Sequence, residues 1–191
     1  MLIDESPAYL LNKPGFCIIK LRIFKKIIMI KNEDIKYLKR CLSLAEEAVR
    51  SGDEAFGSLL VSKEGEVLAE ARNRINEKNR LAHPEIKLAY WAADNLSMEE
   101  CNETTMYTTG EHCPMCAAAH GWVGLGPIVY LSSGEQLKTW LREFGVEQKL
   151  GVNLVPVQQI LPHLEVRGPA ENELLHRIKS LHEQYFRGSR K

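Results

Sequence analysis

Two short motifs constrain this chain more than anything else in it: His83-Pro84-Glu85 and Cys113-Pro114-Met115-Cys116, with 27 residues between Glu85 and Cys113. Pro84 suits the first turn of a helix, where its missing N–H costs nothing. The apolar set Ile86, Leu88, Ala89, Ala92 and Ala93 continues that helix to about Asn95. The two cysteines fall where a short β-branched and aromatic strand, 104–109, gives way to an Ala-rich helical run at 117–120. A fold that uses both motifs must therefore lay two helix starts side by side on a sheet.

The rest of the pattern supplies that sheet. From Asn32, an available N-cap, the residues Ile35, Leu38, Leu42, Leu44, Ala45 and Ala48 share one helical face, and Gly52 ends the helix. Segments 56–61 and 67–71 flank Ser-Lys-Glu-Gly, whose Gly65 permits a tight hairpin turn. Residues 72–82 form a polar loop that delivers the chain to His83. Further on come a buried strand at 128–131, a helix at 135–144, a weaker strand at 152–158 and a closing amphipathic helix at 171–186, with Leu174, Leu175, Ile178 and Leu181 inward. Strands alternating with helices imply an α/β fold with the sheet covered on both faces. No linker or repeat interrupts residues 32–191, which read as one domain behind a basic, apolar extension at 1–31.

The chain's formal charge of zero conceals two unlike parts. Residues 1–32 carry six Lys/Arg and two acidic residues, whereas residues 33–191 carry nineteen and twenty-three. The body is thus acidic, which disfavours a general affinity for nucleic acid. Within the extension, residues 16–30 hold eleven apolar residues broken by Lys20, Arg22, Lys25 and Lys26. A bilayer span needs about 20 predominantly apolar residues, so this is no membrane span, and it lacks the layout of a secretory signal. It reads as an added arm, as a membrane-surface segment, or as upstream sequence ahead of a start at Met29.

Alone, Cys113 and Cys116 admit three readings: a redox dithiol, half of a zinc site, or two core cysteines. Cys17, Cys41 and Cys101 make no second pair, which argues against a four-cysteine structural zinc site. An odd total of five cysteines argues against a disulfide framework and for a reducing compartment, the cytoplasm. His83 raises the zinc reading. One imidazole and two thiolates make three ligands, the number a catalytic zinc site uses while its fourth position takes water. Helix N-termini stabilise the thiolate charges. Glu85 then serves as the non-ligand carboxylate that accepts the water's proton.

Taken together, these residues resemble the zinc-dependent cytidine/deoxycytidylate deaminase superfamily, whose His-x-Glu…Pro-Cys-x-x-Cys signature they nearly reproduce. The likeness extends over most of the body. Ala55-Phe56-Gly57-Ser58 through Val61 looks like the first strand, Asn73 like the residue closing the second, and Thr108-Thr109-Gly110-Glu111-His112 like the approach to the cysteines. It implies a cytidine-deaminase-like three-layer α/β/α fold with a mixed sheet of about five strands. It also implies one catalytic zinc ion held by His83, Cys113 and Cys116, with Glu85 shuttling protons. Asn73 would fix the ring, and Phe56 and Trp122 would supply apolar pocket wall. Two departures stand out. Pro84 replaces the usual small residue, and His112 replaces the usual Pro, where it could act as a competing ligand, a substrate contact, or a second-shell or surface residue.

The reaction the resemblance implies is hydrolytic replacement of an exocyclic amine by oxygen on an aminated heterocycle, a free nucleobase or nucleoside of guanine or cytosine type, with release of ammonia. The runner-up is tRNA-adenosine deamination, which the basic, aromatic C-terminus at 185–191 would serve. A different class, a non-catalytic zinc-stabilised binding module, is opposed by the intact Glu85. Related deaminases with this loop imply a homodimer. Segment 149–170 fits no branch and could reshape the pocket.

Overall fold

The computed structural model describes residues 29–147, 151–171 and 173–188; most of the extension at 1–31, with Cys17 and any part it plays, lies outside the described residues. Helix α1 (Asp34–Arg50) leads into the hairpin β1 (Gly57–Val61) and β2 (Val67–Arg72). The loop after β2 ends at α2 (Pro84–Asn95), followed by α3 (Met98–Glu103), β3 (Thr105–Gly110), α4 (Pro114–Val123), β4 (Ile128–Ser132) and α5 (Gly134–Glu143). A 3₁₀ turn (Val157–Gln159), β5 (Val166–Arg167) and α6 (Glu173–Gly188) complete the order. The sheet runs β2-β1-β3-β4-β5, antiparallel at its first two pairings and parallel at the last two. This mixed five-stranded sheet between helical layers is the cytidine-deaminase-like α/β fold.

Strand parity assigns the layers. Leu59, Val61, Tyr107, Val129 and Leu131 face α1, α5 and α6, where they meet Leu38, Leu42, Trp140 and Ile178. Leu60 and Met106 face the other way, onto Leu88, Ala89 and Ala92 of α2. Ile128 and Tyr130 share that second face with Ala117 of α4. Ser58 and Thr108 have the same parity as Leu60 and Met106 and are direct partners across the β1–β3 ladder. The fold thus points two hydroxyls toward the helices that carry the motifs.

Turns follow the glycines the sequence offered: Gly52 ends α1 at φ +83° and Gly65 closes the hairpin at φ +87°. Two expectations need correction, and one element is additional. The N-cap of α1 is Glu33 rather than Asn32, and the Asp34 carboxylate satisfies the preceding Lys31 N–H at 2.8 Å. Segment 152–158 is not a strand, because Pro156 has no N–H to give a ladder and the Val157 N–H goes to the Glu111 side chain at 2.9 Å. The fifth strand is instead the two-residue β5, paired with β4. Helix α3 was not expected; a capping box between Ser97 and Glu100 starts it.

One buried ionic cluster ties the layers together. Asp34, with no exposed surface, accepts hydrogen bonds from Arg167 Nε and Nη2 at 3.1 and 3.0 Å and from Tyr107 Oη at 2.8 Å. Burial alone would raise the Asp34 pKa, but the bonds from Arg167, the Lys31 N–H and Tyr107 outweigh it and hold the carboxyl below its ordinary value. Replacing Asp34 by Asn leaves a buried guanidinium without its charge partner and should cost about 3–5 kcal/mol in chemical denaturation. Because the folded pKa is depressed, this stabilisation is full above pH ~4 and is lost as pH falls through the folded-state value. The variant should therefore show a smaller acid-side loss than the wild type, and equal acid slopes would refute the assignment.

Candidate active site

The two motifs begin two neighbouring helices. His83 sits at the N-cap of α2 with Pro84 in the first turn, and Cys113 sits at the N-cap of α4 with Pro114 in the first turn. Both cap residues have extended backbone, with ψ of 148° and 165°, so their side chains leave the helix axis at its positive end. The helices pack against one another on the second face of the sheet. His83 Nδ1 consequently lies 3.8 Å from Cys113 Sγ and 3.7 Å from Cys116 Sγ, and the two sulfurs are 3.5 Å apart. Among the described residues these three form the group able to hold a metal ion. A tetrahedral site with zinc's bond lengths, about 2.3 Å to sulfur and about 2.0 Å to nitrogen, has ligand–ligand edges of about 3.5–3.8 Å. The donor atoms already stand at that spacing.

The electrostatics suit such a group. The bond with Cys116 Sγ lowers the Cys113 thiol most; burial opposes it, while His83 and the Cys116 N–H at the helix start reinforce it, leaving Cys113 well below an ordinary thiol. Burial depresses His83, but the bond with Cys113 and the nearby Glu85 charge outweigh it, so its pKa is raised.

Glu85 is the second residue of α2 and is 5 % exposed. Its Oε1 accepts hydrogen bonds from Thr108 Oγ1 at 2.8 Å and Ser58 Oγ at 3.2 Å, and those hydroxyls are themselves bonded at 2.9 Å. Its Oε2 lies 3.9 Å from Cys116 Sγ. Burial raises the Glu85 pKa, opposed by His83 and by the bond from Thr108. The carboxylate is thus held by two neutral hydroxyls beside the metal-competent group, a proton acceptor with no cation of its own.

Asn73 follows β2 and is fully buried. Its N–H reaches Phe56 O at 2.9 Å and its Oδ1 accepts from Ile75 N at 3.1 Å, while its Nδ2 is buried without a partner. Phe56 is half-buried, and its ring covers Gly110, where a Cβ would lie 2.7 Å from Phe56 Cε1. His182 of α6 packs on the other part of that ring with centroids 5.0 Å apart.

Trp122 is the expected wall residue that the chain does not bring in: it is 90 % exposed near the end of α4. Nine residues separate it from Cys113, two and a half turns, which puts it about 13 Å away along the axis and on the opposite side of the helix. His112 is neither a surface residue nor one of the metal-competent group. It is 2 % exposed and packs edge-on against His120, ring centroids 5.2 Å apart.

Sequence reasoning missed the seats of these groups. Ser58 and Thr108 were detectable as polar residues on otherwise apolar strand faces. Glu111, also missed, accepts the N–H of Gly134 at the start of α5 and of Val157, both at 2.9 Å. It thereby pins segment 154–157 against the loop that carries Cys113. A cleft of about 320 Å³ lies beside His83, with Lys78, Leu81, Lys87 and Tyr90 in its lining.

Comparison with known proteins agrees with this fold and places the chain among deaminases. The family model for MafB19-like deaminases matches residues 32–160. A probable cytosine deaminase of Schizosaccharomyces pombe is 26% identical over 142 residues, which cover 73% of this chain and 86% of that protein. A tRNA-specific adenosine deaminase of Bacillus subtilis is 35% identical over 88 residues, 46% of this chain and 54% of that protein, so the match spans about half the length of that relative. A solved guanine deaminase from Nitrosomonas europaea superposes with a TM-score of 0.59 at 17% identity, covering 84% of this chain and 86% of that one, a likeness of fold. From the site geometry, the purified chain should bind about one equivalent of metal. Cys113→Ser and Cys116→Ser should each lower that content severalfold in elemental analysis, and full retention by both variants would overturn the ligand assignment.

Proposed function

The chain belongs to the MafB19-like deaminase family, and on that premise we propose that it is a zinc-dependent hydrolase that replaces an exocyclic amine by oxygen on a free nucleobase or nucleoside, of guanine or cytosine type. The observation that carries this reading is Glu85, buried and seated on Ser58 and Thr108, beside the His83, Cys113 and Cys116 donors. Those three donors would hold zinc. When bound, zinc supplies Lewis acidity that lowers the pKa of a bound water from 15.7 to about 7.

The chain's own residues account for the proton and orientation steps. Glu85 accepts a proton from the attacking water and delivers it to the ring nitrogen, then takes the remaining proton of the newly added hydroxyl and passes it to the departing amine as that oxygen becomes the carbonyl. Water adds at the aminated carbon, the C–N bond breaks, and ammonia leaves. Ser58 and Thr108 keep the carboxylate aimed across both transfers. Asn73 Nδ2, buried with no protein partner, donates to an acceptor atom on the ring. Phe56 presents a flat apolar surface above Gly110. The acidic body and the breadth of the match to the probable cytosine deaminase support a small neutral substrate. Trp122, 90 % exposed, supplies no pocket wall within one chain.

A second reading, tRNA-adenosine deamination, is favoured by Lys78, Lys87 and the 70 % exposed Tyr90 in the cleft beside His83, features that suit a phosphate strand and a stacked base. One panel separates the two. Ammonia release should occur with cytosine, guanine or one of their nucleosides and fall about 10³-fold in Glu85→Ala. Silence on every small ring, with turnover of an anticodon stem-loop that weakens steeply with salt, would replace the first reading by the second.

Homodimerisation belongs to the same proposal. Trp122 on α4 and Tyr90 on α2 lie exposed on the two helices that cover one face of the sheet. Light scattering should give twice the chain mass, and Trp122→Glu should shift the population to monomer; an unchanged mass in the variant would remove this face as the interface. Among the described residues, no helix is long and apolar enough to cross a membrane.

A further inference from the structure

Asp53 takes no part in the chemistry above, yet it is completely buried just beyond the end of α1. Its Oδ2 accepts from Arg72 Nη1 at 3.2 Å, and its Oδ1 accepts from the backbone N–H groups of Asn76 at 2.7 Å and Glu77 at 3.4 Å. Arg72 Nη1 also donates to the Asn73 carbonyl at 2.9 Å, while Arg72 Nη2 pairs with Glu77. A single buried carboxylate thus gathers donors from both sides of Asn73.

The location gives this cluster its consequence. Strand β2 is at the edge of the sheet, so the chain leaving it at Arg72 has no outer strand to hold its direction. Asn73 is the first residue of that exit. Its amide is oriented by the Ile75 N–H on Oδ1, which leaves Nδ2 as the free donor. Backbone bonds from Asn73 N–H to Phe56 O at 2.9 Å and from Arg74 N–H to Ala82 O at 3.0 Å hold the ends of this turn, and between them the bonds to Asp53 and the Asn76 side chain, which donates to Gly52 O at 2.8 Å and Tyr185 Oη at 3.0 Å, fix its path.

We propose that Asp53 is the positioning residue for substrate recognition: through Arg72 and the N–H groups of Asn76 and Glu77 it fixes the turn that aims Asn73 Nδ2 at the ring. The inference rests on the reading of Asn73 as the ring-binding residue. Asp53 acts on orientation and leaves the Glu85 proton transfers untouched. Asp53→Asn has nearly the same volume but removes the charge and turns an amide N–H₂ toward one of the existing donors.

The test uses the full chain. With the best substrate of the panel, Asp53→Asn should raise KM about tenfold or more and change kcat less than about threefold, the pattern left when an interaction shared by the ground state and the transition state is lost. The double variant Asp53→Asn/Asn73→Ala should be no worse than Asn73→Ala alone, because the first residue acts through the second. Additive losses, or a fall in kcat with KM unchanged, would overturn the proposal. A readout independent of turnover is the Asn73 side-chain amide signal in a ¹⁵N–¹H spectrum, identified by its loss in Asn73→Ala. It should move in Asp53→Asn while the dispersed backbone spectrum is kept, and an unmoved signal overturns the positioning role whatever the substrate. Failure of the wild type on every substrate would count against the proposed reaction alone.

Discussion

The candidate site depends on two helices starting at neighbouring points above one sheet. A helix start offers unpaired N–H groups and a partial positive charge, which favours thiolates and carboxylates. One start alone could place His83 with Glu85, or Cys113 with Cys116. Only the packing of α2 against α4 brings all four within reach, with sulfur and nitrogen donors 3.5–3.8 Å apart. The sheet supplies the floor, because Ser58 and Thr108 pair across β1 and β3 with their hydroxyls on the helix side.

Among the described residues three carboxylates are buried, and the chain treats them differently. Asp34 and Asp53 each meet an arginine, Arg167 and Arg72 respectively, and each joins segments far apart in sequence. Glu85 has two hydroxyls instead. Both arginines fix structure, and at Asp34, against the effect of burial, the bonds from Arg167 help hold the carboxyl below its ordinary pKa. Burial outweighs the bond from Thr108, which favours the charged form of Glu85, and raises the pKa above the ordinary carboxylate value, the direction that helps a group both take and return a proton. The contrast in partners separates the structural carboxylates from the one suited to catalysis.

Much of this was legible in the residues. Helix starts carry local signals, so Pro84, the N-terminal turns and the glycine stops at Gly52 and Gly65 could be read directly. The metal-competent trio and Glu85 followed from donor chemistry and spacing. What could not be read depends on contacts remote in sequence. Trp122 looked like a pocket residue because it is aromatic and close to the cysteines, but helical phase turns it to the opposite side of α4. Segment 152–158 has strand-like composition, yet Pro156 and the claim of Glu111 on the Val157 N–H take it out of the sheet. Asp53 was invisible as a loop acid because its partners become neighbours only when β2 and the end of α1 are folded together.

The central claim is that α2 and α4 together create one metal site from a histidine and two cysteines, leaving room for a light-atom ligand beside Glu85. X-ray absorption at the zinc edge of the loaded protein tests this most directly. The account predicts two sulfur ligands at about 2.3 Å and two nitrogen or oxygen ligands at about 2.0 Å. A shell of four sulfurs, or a shell of nitrogen and oxygen alone, would contradict it.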